Sequence, residues 1–318
     1  MPYQHKPVLL AESMALLEPK PGDLVVDGTV GGGGHAAALL ERIGPAGRLV
    51  GLDVDDEALL EAGRRLGSPG DSRVTLVRAS FRELGRVLSD LKIARIDRLL
   101  LDLGVSSRHL DAPERGFRFS EGSAEMTPLD MRMDRRKGVT AADLLRTASA
   151  PELERIFREY GELRGAARLA RALVAARRIA PIRSAAELLA VVRQARVGGG
   201  RRHHPATLVF QALRIAVNDE LCALQEGLAA GIEALRQGGR LAVIAYHSLE
   251  DRAVKERLRE EARGCVCPPR IPVCVCGRTP RLHILTRRPV TPSEEEIRRN
   301  PRSRSARLRA ASRLAEVA

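Results

Sequence analysis

Short apolar runs alternate with amphipathic runs along the first hundred residues of the chain. The apolar runs predict strands, several of them buried on both faces, at 24–26, 48–53, 74–77 and 96–102. Between them, helical spacing of apolar positions predicts helices at 35–42 and 56–66 and another that begins near Phe81. Strands that alternate with helices predict an α/β fold, in which a parallel sheet is covered by helices on both faces.

The alternation stops near Leu110, where a stretch rich in Gly, Pro and charged residues runs to Arg136. Helical runs alone follow, at 140–148, 151–178 and 184–195. The α/β pattern then returns with a helix over 206–236, a turn at 238–239, a strand over 240–246, a helix over 249–260, a strand over 282–285 and a basic tail. We therefore predict one α/β domain formed by 1–109 and 207–318, which an all-helical domain of 110–206 interrupts.

Charge narrows the choice of partner. The 318 residues carry a formal net charge of +13, which favours nucleic acid because Lys and Arg displace the counterions condensed on phosphates. An arginine-rich composition would give the same charge without such a partner.

The sequence has no apolar run of about 18 residues to span a membrane and no signal-peptide pattern, so we expect a cytoplasmic protein without membrane contact. The five cysteines are then expected to be reduced.

A glycine-rich turn with the sequence Asp-Gly-Thr-Val-Gly-Gly-Gly-Gly-His follows the first predicted strand at 27–35. Open α/β sheets bind ligands at the carboxyl ends of their strands. Glycine is useful there because it adopts positive φ and lets backbone amides approach a ligand, while the next helix N-terminus favours an anionic group. The turn does not identify the ligand, since Gly31, Gly33 and Ala36 also satisfy a dinucleotide-binding fingerprint.

Three aspartates at predicted strand ends distinguish the cofactors. Asp27 precedes the turn, where a carboxylate accepts hydrogen bonds from the ammonium of a methionine moiety. Asp53 ends the second strand, where a carboxylate binds ribose hydroxyls in either class of enzyme. Asp102, with Ser106 in the following turn, lies where a sulfonium and a methyl acceptor are expected. Each aspartate alone would suit a helix cap or a turn, but together the three favour S-adenosylmethionine as the cofactor. A nicotinamide cofactor for hydride transfer is disfavoured because no second nucleotide-binding half follows.

Seven motifs occur in order along nearly the whole chain, at 5–10, 27–35, 100–107, 114–117, 128–134, 204–207 and 246–252. On these motifs the chain resembles the MraW/RsmH family of bacterial methyltransferases, which act on the exocyclic amine of a cytidine in small-subunit ribosomal RNA. The resemblance implies a class I, Rossmann-like methyltransferase fold with an inserted helical domain. It also implies S-adenosylmethionine as the methyl donor and S-adenosylhomocysteine as the product.

The partner implied by the resemblance is 16S ribosomal RNA within the small ribosomal subunit, with N4 of a cytidine in the decoding region as the acceptor. Methyl transfer to DNA or to a protein amine stays open, as does a non-catalytic RNA-binding assembly factor. A monomer and a homodimer are both compatible with the sequence. The candidate RNA-binding segments are the tail at 298–307 and the inserted helices with arginines at 164, 168, 171, 177 and 178, although solvated charge runs look the same.

The resemblance also implies a cofactor site residue by residue. It assigns Gly33, Gly34 and His35 to the methionine end, Asp53 to the ribose, Phe81 to the adenine, and Asp102 and His109 to the rest of the pocket. The strand-end and turn arguments add Asp27 and Gly31 to the candidate cofactor-binding residues. Phe81 suits an adenine independently, because aromatic rings stack on bases, although core packing would also explain it.

A cytosine amine is a weak nucleophile because its lone pair is delocalised into the ring, so orientation and hydrogen-bond acceptors must supply much of the rate. The candidate catalytic residues are Asp102, Ser106 and Tyr246. The candidate contacts to the substrate are Arg214, Asn218, Tyr246 and His247. Many amine methyltransferases carry an acidic or amide residue, Pro-Pro and an aromatic at this strand end, and the departure at 102–105 leaves open how the base is held.

Four cysteines form two closely spaced pairs in a proline-rich loop, Cys265 with Cys267 and Cys274 with Cys276. They supply enough ligands for tetrahedral zinc. The pairs are tighter than the usual two-residue gap, no His ligand is near in sequence, and the resemblance implies relatives without the cluster. We therefore assign no metal and keep zinc as an alternative to an ordinary loop. Cys222 is expected to pack in the core.

Overall fold

The structure of the protein is a computed structural model that describes residues 7–67, 71–105, 112–117, 127–198, 204–268, 273 and 275–315. The chain divides into two compact units. The first unit comprises Met1–Gly104 and Leu221–Ala318, and the second comprises Val105–Glu220. The predicted boundaries lie at 109/110 and 206/207, and the later one differs most because helix Pro205–Asn218 buries Val209 and Leu213 in the core of the second unit.

A seven-stranded sheet forms the centre of the first unit. Its strands are β1 (Leu24–Asp27), β2 (Arg48–Asp53), β3 (Val74–Arg78), β4 (Ile96–Asp102), β5 (Leu235–Ala245), β6 (Leu282–Ile284) and β7 (Arg307–Arg313). The strand order is β3-β2-β1-β4-β5-β7-β6, in which β1 to β5 are parallel and β7 runs antiparallel to its two neighbours. The predicted α/β fold and the predicted strands are confirmed, whereas β7 was not predicted.

Strand β7 starts where the sequence pattern predicts only a basic tail. Leu308, Ala310 and Ala311 are fully buried, so the strand has an apolar component that its arginines obscure. The Arg309 guanidinium is also buried, and its Nε donates to Asp251 Oδ1 at 2.6 Å. A buried cation is tolerated when a carboxylate neutralises it, so a basic segment can enter the sheet.

The helices in chain order are α1 (Leu10–Leu17), α2 (Gly34–Ile43), α3 (Asp56–Leu66), α4 (Leu84–Asp90), α5 (Ala141–Thr147), α6 (Ala150–Glu159), α7 (Ala166–Ile179), α8 (Ala185–Gln194), α9 (Pro205–Asn218), α10 (Glu220–Ala234), α11 (Ser248–Ala262) and α12 (Glu294–Arg299). Helices α5 to α9 belong to the second unit. Among the described residues, no helix is both long and apolar enough to cross a membrane.

Two helices predicted as continuous are each divided into two. The run at 151–178 is interrupted between α6 and α7, where Glu162 and Gly165 have φ of 46° and 87°. The run at 206–236 is interrupted at Asp219, which has φ of 49°, and it ends where β5 begins at Leu235. A residue with left-handed φ cannot continue a right-handed helix, and hydrophobic periodicity does not reveal such a residue. The predicted 238–239 turn is an irregular part of β5, where its register with β4 shifts.

Alternating side chains of the central strands fill the layers above and below the sheet. Val25 and Leu100 lie in one apolar cluster, whereas Val26, Leu99 and Leu101 lie in the other. All five are fully buried, and each large buried side chain contributes roughly 1.5–3 kcal/mol by leaving water. The buried central strands therefore hold the residues at their ends in fixed positions.

The motifs at 114–117 and 128–134 pack against each other inside the second unit. The Arg115 carbonyl accepts from Met131 N at 2.9 Å, and its guanidinium donates to the carbonyl oxygens of Arg132 and Met133 at 2.9 and 3.0 Å. A Cβ at Gly116 would lie 2.2 Å from the Pro128 carbonyl oxygen, so only glycine fits. These two motifs thus stabilise the second unit.

Candidate active site

Strands β1, β2 and β4 each end in an aspartate, respectively Asp27, Asp53 and Asp102. Because β1 pairs in parallel with both β2 and β4, the three strands end at one edge of the sheet. The amide of Asp102 donates to the Thr29 hydroxyl oxygen at 2.6 Å, which ties the end of β4 to the turn after β1. The structure therefore brings together the three carboxyl groups that the sequence analysis singled out.

The glycine turn leads directly into helix α2. Gly31 and Gly33 have φ of 49° and 78°, and a Cβ at Gly33 would lie 3.2 Å from the Ala62 backbone. A Cβ at Gly34 would lie 2.6 Å from the Pro7 ring. No side chain of the described residues caps α2 at Gly33, so the first backbone amides of α2 are oriented towards any anionic group placed at this end.

Asp53 holds the glycine turn in place. Its Oδ2 accepts from the Gly31 amide and its Oδ1 from the Asp55 amide, both at 3.0 Å. A carboxylate offers about four lone-pair directions, so one group can both hold a turn and accept further hydrogen bonds. Asp53 is predicted from the sequence to bind a ribose, and the structure gives it a role in shaping the turn.

Asp27 is almost completely buried, with 1% of its surface exposed. Burial raises its pKa to about 7, although nearby His35 and a hydrogen bond from the Thr29 amide at 3.2 Å both act to lower it. A buried carboxyl group with a raised pKa is stabilised in its ionised form by a neighbouring cation. The ammonium of a methionine moiety would be such a cation.

One carboxylate oxygen of Asp102 accepts a hydrogen bond, and part of the side chain is exposed to solvent. Its Oδ1 accepts from the Tyr246 hydroxyl at 2.9 Å, and 20% of its side chain is exposed. Burial raises its pKa to about 7, the Tyr246 hydrogen bond lowers it, and the charge of Glu250 raises it. A carboxyl group that titrates near neutrality is suited to proton transfer.

His35 connects the site to the segment before α1. Its Nε2 lies 3.0 Å from the Val8 carbonyl oxygen, which can only accept, so Nε2 carries the hydrogen. Burial lowers the pKa of His35, which favours the neutral ring. The unprotonated Nδ1 then faces Asp102 Oδ2 at 3.6 Å, beyond hydrogen-bond length.

Tyr246 follows β5, and its ring lies over Gly104. A Cβ at Gly104 would be 3.2 Å from Tyr246 Cδ2, and Gly104 has φ of 96°, so the turn after β4 requires glycine on both counts. Burial raises the pKa of Tyr246 well above its usual value, and the neighbouring Asp102 adds to the rise. The hydroxyl therefore stays protonated and donates.

His247 and Glu250 form a capping box at the start of α11. His247 Nδ1 accepts from the Glu250 amide at 3.3 Å, and His247 Nε2 lies 3.1 Å from Glu250 Oε1. Glu250 Oε2 accepts from the Tyr246 amide at 2.8 Å. These contacts give His247 a structural explanation. Thr29, Gly104 and Glu250 are not among the predicted site residues, although they lie within the motifs at 27–35, 100–107 and 246–252.

Phe81 follows β3 at the same edge of the sheet and is half-buried. A Cβ at Gly227 would lie 2.5 Å from Phe81 Cδ2, and one at Gly28 would lie 3.2 Å from Phe81 Cβ. The two glycines thus make room for the aromatic ring beside the turn. Nothing in the spacing of apolar residues indicates that Gly227, in the middle of α10, has this contact.

Two further sequence-predicted residues, Arg214 and Asn218, have partners within the second unit. Arg214 donates to both carboxylate oxygens of Glu220 at 2.8 Å. Asn218 accepts from Met133 N at 2.7 Å and donates to Met131 O at 2.8 Å. These contacts within the second unit explain both side chains without RNA.

Ser106, His109 and Cys274 lie outside the described residues. The prediction that Cys222 packs in the core is wrong, because the residue is on the exposed face of α10, where its thiol donates to Glu226 Oε1 at 3.3 Å.

The strand order, the antiparallel β7 and the glycine turn with aspartates at the carboxyl edge define a class I S-adenosylmethionine-dependent methyltransferase. The chain belongs to the MraW methylase family, whose model matches residues 2–314. It is 50% identical over 317 residues to a Heliobacterium modesticaldum protein named ribosomal RNA small subunit methyltransferase H, covering 99% of this chain and 100% of that one. A protein of the same name from Syntrophotalea carbinolica is 52% identical over 314 residues, covering 98% of each chain.

Proposed function

We propose that the protein transfers a methyl group from S-adenosylmethionine to N4 of a cytidine in 16S ribosomal RNA, in the decoding region of the small ribosomal subunit. The observation that carries the proposal is the Asp102 carboxyl group, which Tyr246 holds at the carboxyl edge of the sheet beside the glycine turn. The names of relatives about half identical over the whole chain support ribosomal RNA as the acceptor. A protein with this substrate is expected to act in the cytoplasm.

The residues at the carboxyl edge fit the cofactor. We assign Asp27 to the ammonium group, because a cation would offset the burial of its carboxylate. The amides of Gly33, Gly34 and His35 at the N-terminus of α2 suit the carboxylate of the methionine end. Asp53 would accept the ribose hydroxyls, and Phe81 would lie against the adenine. When bound, S-adenosylmethionine supplies an electrophilic methyl group and leaves as S-adenosylhomocysteine.

Asp102 is the proposed acceptor for the proton that the amine must lose when it gains a methyl group. Hydrogen bonding of the amine to Asp102 would direct the nitrogen lone pair and keep the base in position. Its pKa of about 7 allows the carboxylate to accept the proton and then release it to solvent. The Tyr246 hydroxyl favours the ionised form of Asp102, and its half-buried ring offers a surface for the flipped base. Ser106 and His109 keep their predicted roles as part of this proposal.

For RNA binding we propose the exposed arginines of the second unit, among them Arg164, Arg171 and Arg178. Arg177 differs from them, because its Nη1 donates to the carbonyl oxygens of Leu145 and Ala148 at 2.6 Å and thereby caps α5. An exposed arginine can reach a phosphate, whereas Arg177 is committed to the helix end. The basic composition thus divides into structural arginines and arginines available to RNA.

Methyl transfer to ribosomal substrates tests the proposal. Labelled S-adenosylmethionine is incubated with the protein and either small ribosomal subunits or naked 16S RNA from cells that lack the enzyme, and digested nucleosides are analysed by mass spectrometry. We expect N4-methylated cytidine at one position, with small subunits as the better substrate. Label in another nucleoside, in ribosomal protein alone or in DNA would contradict the proposed acceptor, and S-adenosylhomocysteine binding measured in parallel would show whether the cofactor assignment survives.

A further inference from the structure

The segment between α11 and β6, of which 263–268, 273 and 275–281 are described, supplies no residue to the proposed reaction. Its described residues form no helix or strand. Val266, Val273 and Val275 are 41%, 70% and 76% exposed, so they contribute little to an apolar core. A loop of this length without its own core needs another source of order.

The two ends of this segment are held together. The Arg281 amide donates to the Glu261 carbonyl oxygen at 2.7 Å, and the Arg281 carbonyl oxygen accepts from the Leu314 amide at 2.9 Å. Arg278 donates to the Glu260 carbonyl oxygen at 2.9 Å. These bonds attach the end of the segment near Arg281 to α11. They do not explain what orders the residues that precede Arg278.

Three cysteine thiols of this segment lie close together. The sulfur atoms of Cys265, Cys267 and Cys276 all lie within 4.8 Å of one another, and Cys265 and Cys276 are 3.7 Å apart. Two sulfurs on one tetrahedral zinc ion, each at about 2.3 Å from the metal, are about 3.8 Å apart. A disulfide would need roughly 2.05 Å. The Cys276 thiol donates to Cys265 Sγ across this separation, which excludes a disulfide and matches the spacing of two ligands of one metal ion.

Backbone amides orient two of these sulfur atoms. The Cys267 amide donates to Cys265 Sγ, and the Val275 amide donates to Cys267 Sγ, both at 3.4 Å. Amide donors stabilise a negatively charged sulfur and orient its remaining lone pairs, as outer-shell hydrogen bonds do in metal sites.

We propose that Cys265, Cys267 and Cys276 bind one structural zinc ion that orders the described residues of this segment. The three thiolates occupy three of the four positions of a tetrahedral site. The ion replaces the missing apolar core by joining the two ends of the outer loop. Its binding is independent of methyl transfer and of the proposed RNA substrate.

Metal analysis of the full-length protein tests this proposal, with Cys222→Ser as the matched control because Cys222 is exposed on α10 and distant in sequence from the loop. The protein is purified without a histidine tag under reducing conditions and its metal content is measured by plasma mass spectrometry. We expect about one zinc ion per chain in the wild type and in Cys222→Ser. Cys265→Ser and Cys276→Ser should each lose at least about nine-tenths of the bound zinc.

Cobalt substitution and proteolysis provide readouts that do not depend on activity. Co²⁺ should produce the intense visible absorption of a tetrahedral thiolate site in the wild type and in Cys222→Ser, and not in Cys276→Ser. Chelation should accelerate cleavage within 263–281 at least about tenfold while the first unit keeps its circular dichroism spectrum.

Three results would overturn the proposal. They are a wild-type protein that stays metal-free after incubation with Zn²⁺ and a reductant, a Cys276→Ser variant that keeps its zinc, and a purified protein in which mass spectrometry finds Cys265 and Cys276 joined as a disulfide that resists mild reduction.

Discussion

The hydroxyl of Tyr246 donates to Asp102 Oδ1 at 2.9 Å, and this hydrogen bond joins the ends of neighbouring parallel strands β4 and β5. Burial and the hydrogen bond have opposite effects on Asp102, since burial raises its pKa to about 7 and the hydrogen bond lowers it. The balance sets the pH at which the proposed proton acceptor becomes available.

Tyr246→Phe should move that pH upwards. The substitution keeps the ring over Gly104 and removes the hydroxyl, so the Asp102 carboxylate loses a donor worth roughly 1.5–3 kcal/mol. We expect the acidic limb of the kcat profile to shift to higher pH by about one to two units. A uniform loss of activity at all pH values, without a shift, would show that the ring and not the hydrogen bond is important.

Asp102→Asn should reduce methyl transfer far more than cofactor binding. The amide preserves the shape of the side chain and cannot accept a proton, so we expect kcat to fall about 10²- to 10⁴-fold. S-adenosylhomocysteine affinity from calorimetry is the control, because Asp102 is also assigned to the cofactor pocket. Full methyl transfer by this variant would remove Asp102 from the mechanism.

The cofactor-free protein should lose stability as pH rises towards 8. Asp27 has a native pKa of about 7 against 3.8 in the unfolded chain, so the native state holds its proton more tightly. Its contribution is complete below pH 3.8 and is lost as pH rises through 7, by an amount on the order of 4 kcal/mol. Asp27→Asn should remove much of the slope between pH 5 and pH 8 in urea unfolding, whereas an unchanged slope would contradict the raised pKa.

The same carboxyl group links pH to cofactor affinity. If Asp27 binds the ammonium in its ionised form, cofactor binding releases protons below about pH 7. Calorimetry in buffers of different ionisation enthalpy should detect this release in the wild type and a smaller one in Asp27→Asn.

Gly104→Ala should disturb Tyr246 as well as the backbone. Gly104 and Gly22 have similar φ of 96° and 85°, but an added Cβ meets Tyr246 Cδ2 at 3.2 Å in the first and nothing within 4 Å in the second. Gly22→Ala therefore measures the conformational cost alone, about 1–2 kcal/mol. Urea unfolding should show a larger loss for Gly104→Ala, and methyl transfer should fall only in that variant. Equal effects of the two substitutions would exclude a role for the ring contact.

Two kinds of arginine in the second unit should respond differently. Replacing Arg164 and Arg171 with Ala should weaken RNA binding and reduce the dependence of log K on log salt by roughly 0.7–0.9 for each lost phosphate contact. Arg177→Ala should instead lower the free energy of unfolding, because it removes bonds to the end of α5. Filter binding at several salt concentrations and urea unfolding separate the two effects.

Hydrophobic patterning was sufficient for β1 to β4, because continuous apolar strands and periodic helices alternate there without interruption. It missed β7, whose buried Arg309 depends on Asp251, a partner far away in sequence. It also missed the break at Asp219, since a single residue with positive φ leaves the apolar spacing intact.

The site was predictable as far as it follows from strand ends. Asp27, Asp53 and Asp102 could be located because each follows an apolar run. The bond from Tyr246 to Asp102 depends on β5 lying next to β4, which a sequence pattern suggests but does not measure. The two carboxylate oxygens of Glu250 contact the Tyr246 amide and His247. These contacts belong to a capping box and could not be predicted from the apolar pattern.

The position of β7 between β5 and β6 determines which strand edges stay unpaired while the chain is being translated. Before residues 307–313 are made, β5 has an unpaired edge along Leu241–Ala245, and β6 has no strand to pair with. Such an edge is a template for aggregation and a target for chaperones and proteases. A nascent or prematurely terminated chain would therefore be retained or degraded by quality control, even though every residue proposed here for the reaction had already been translated.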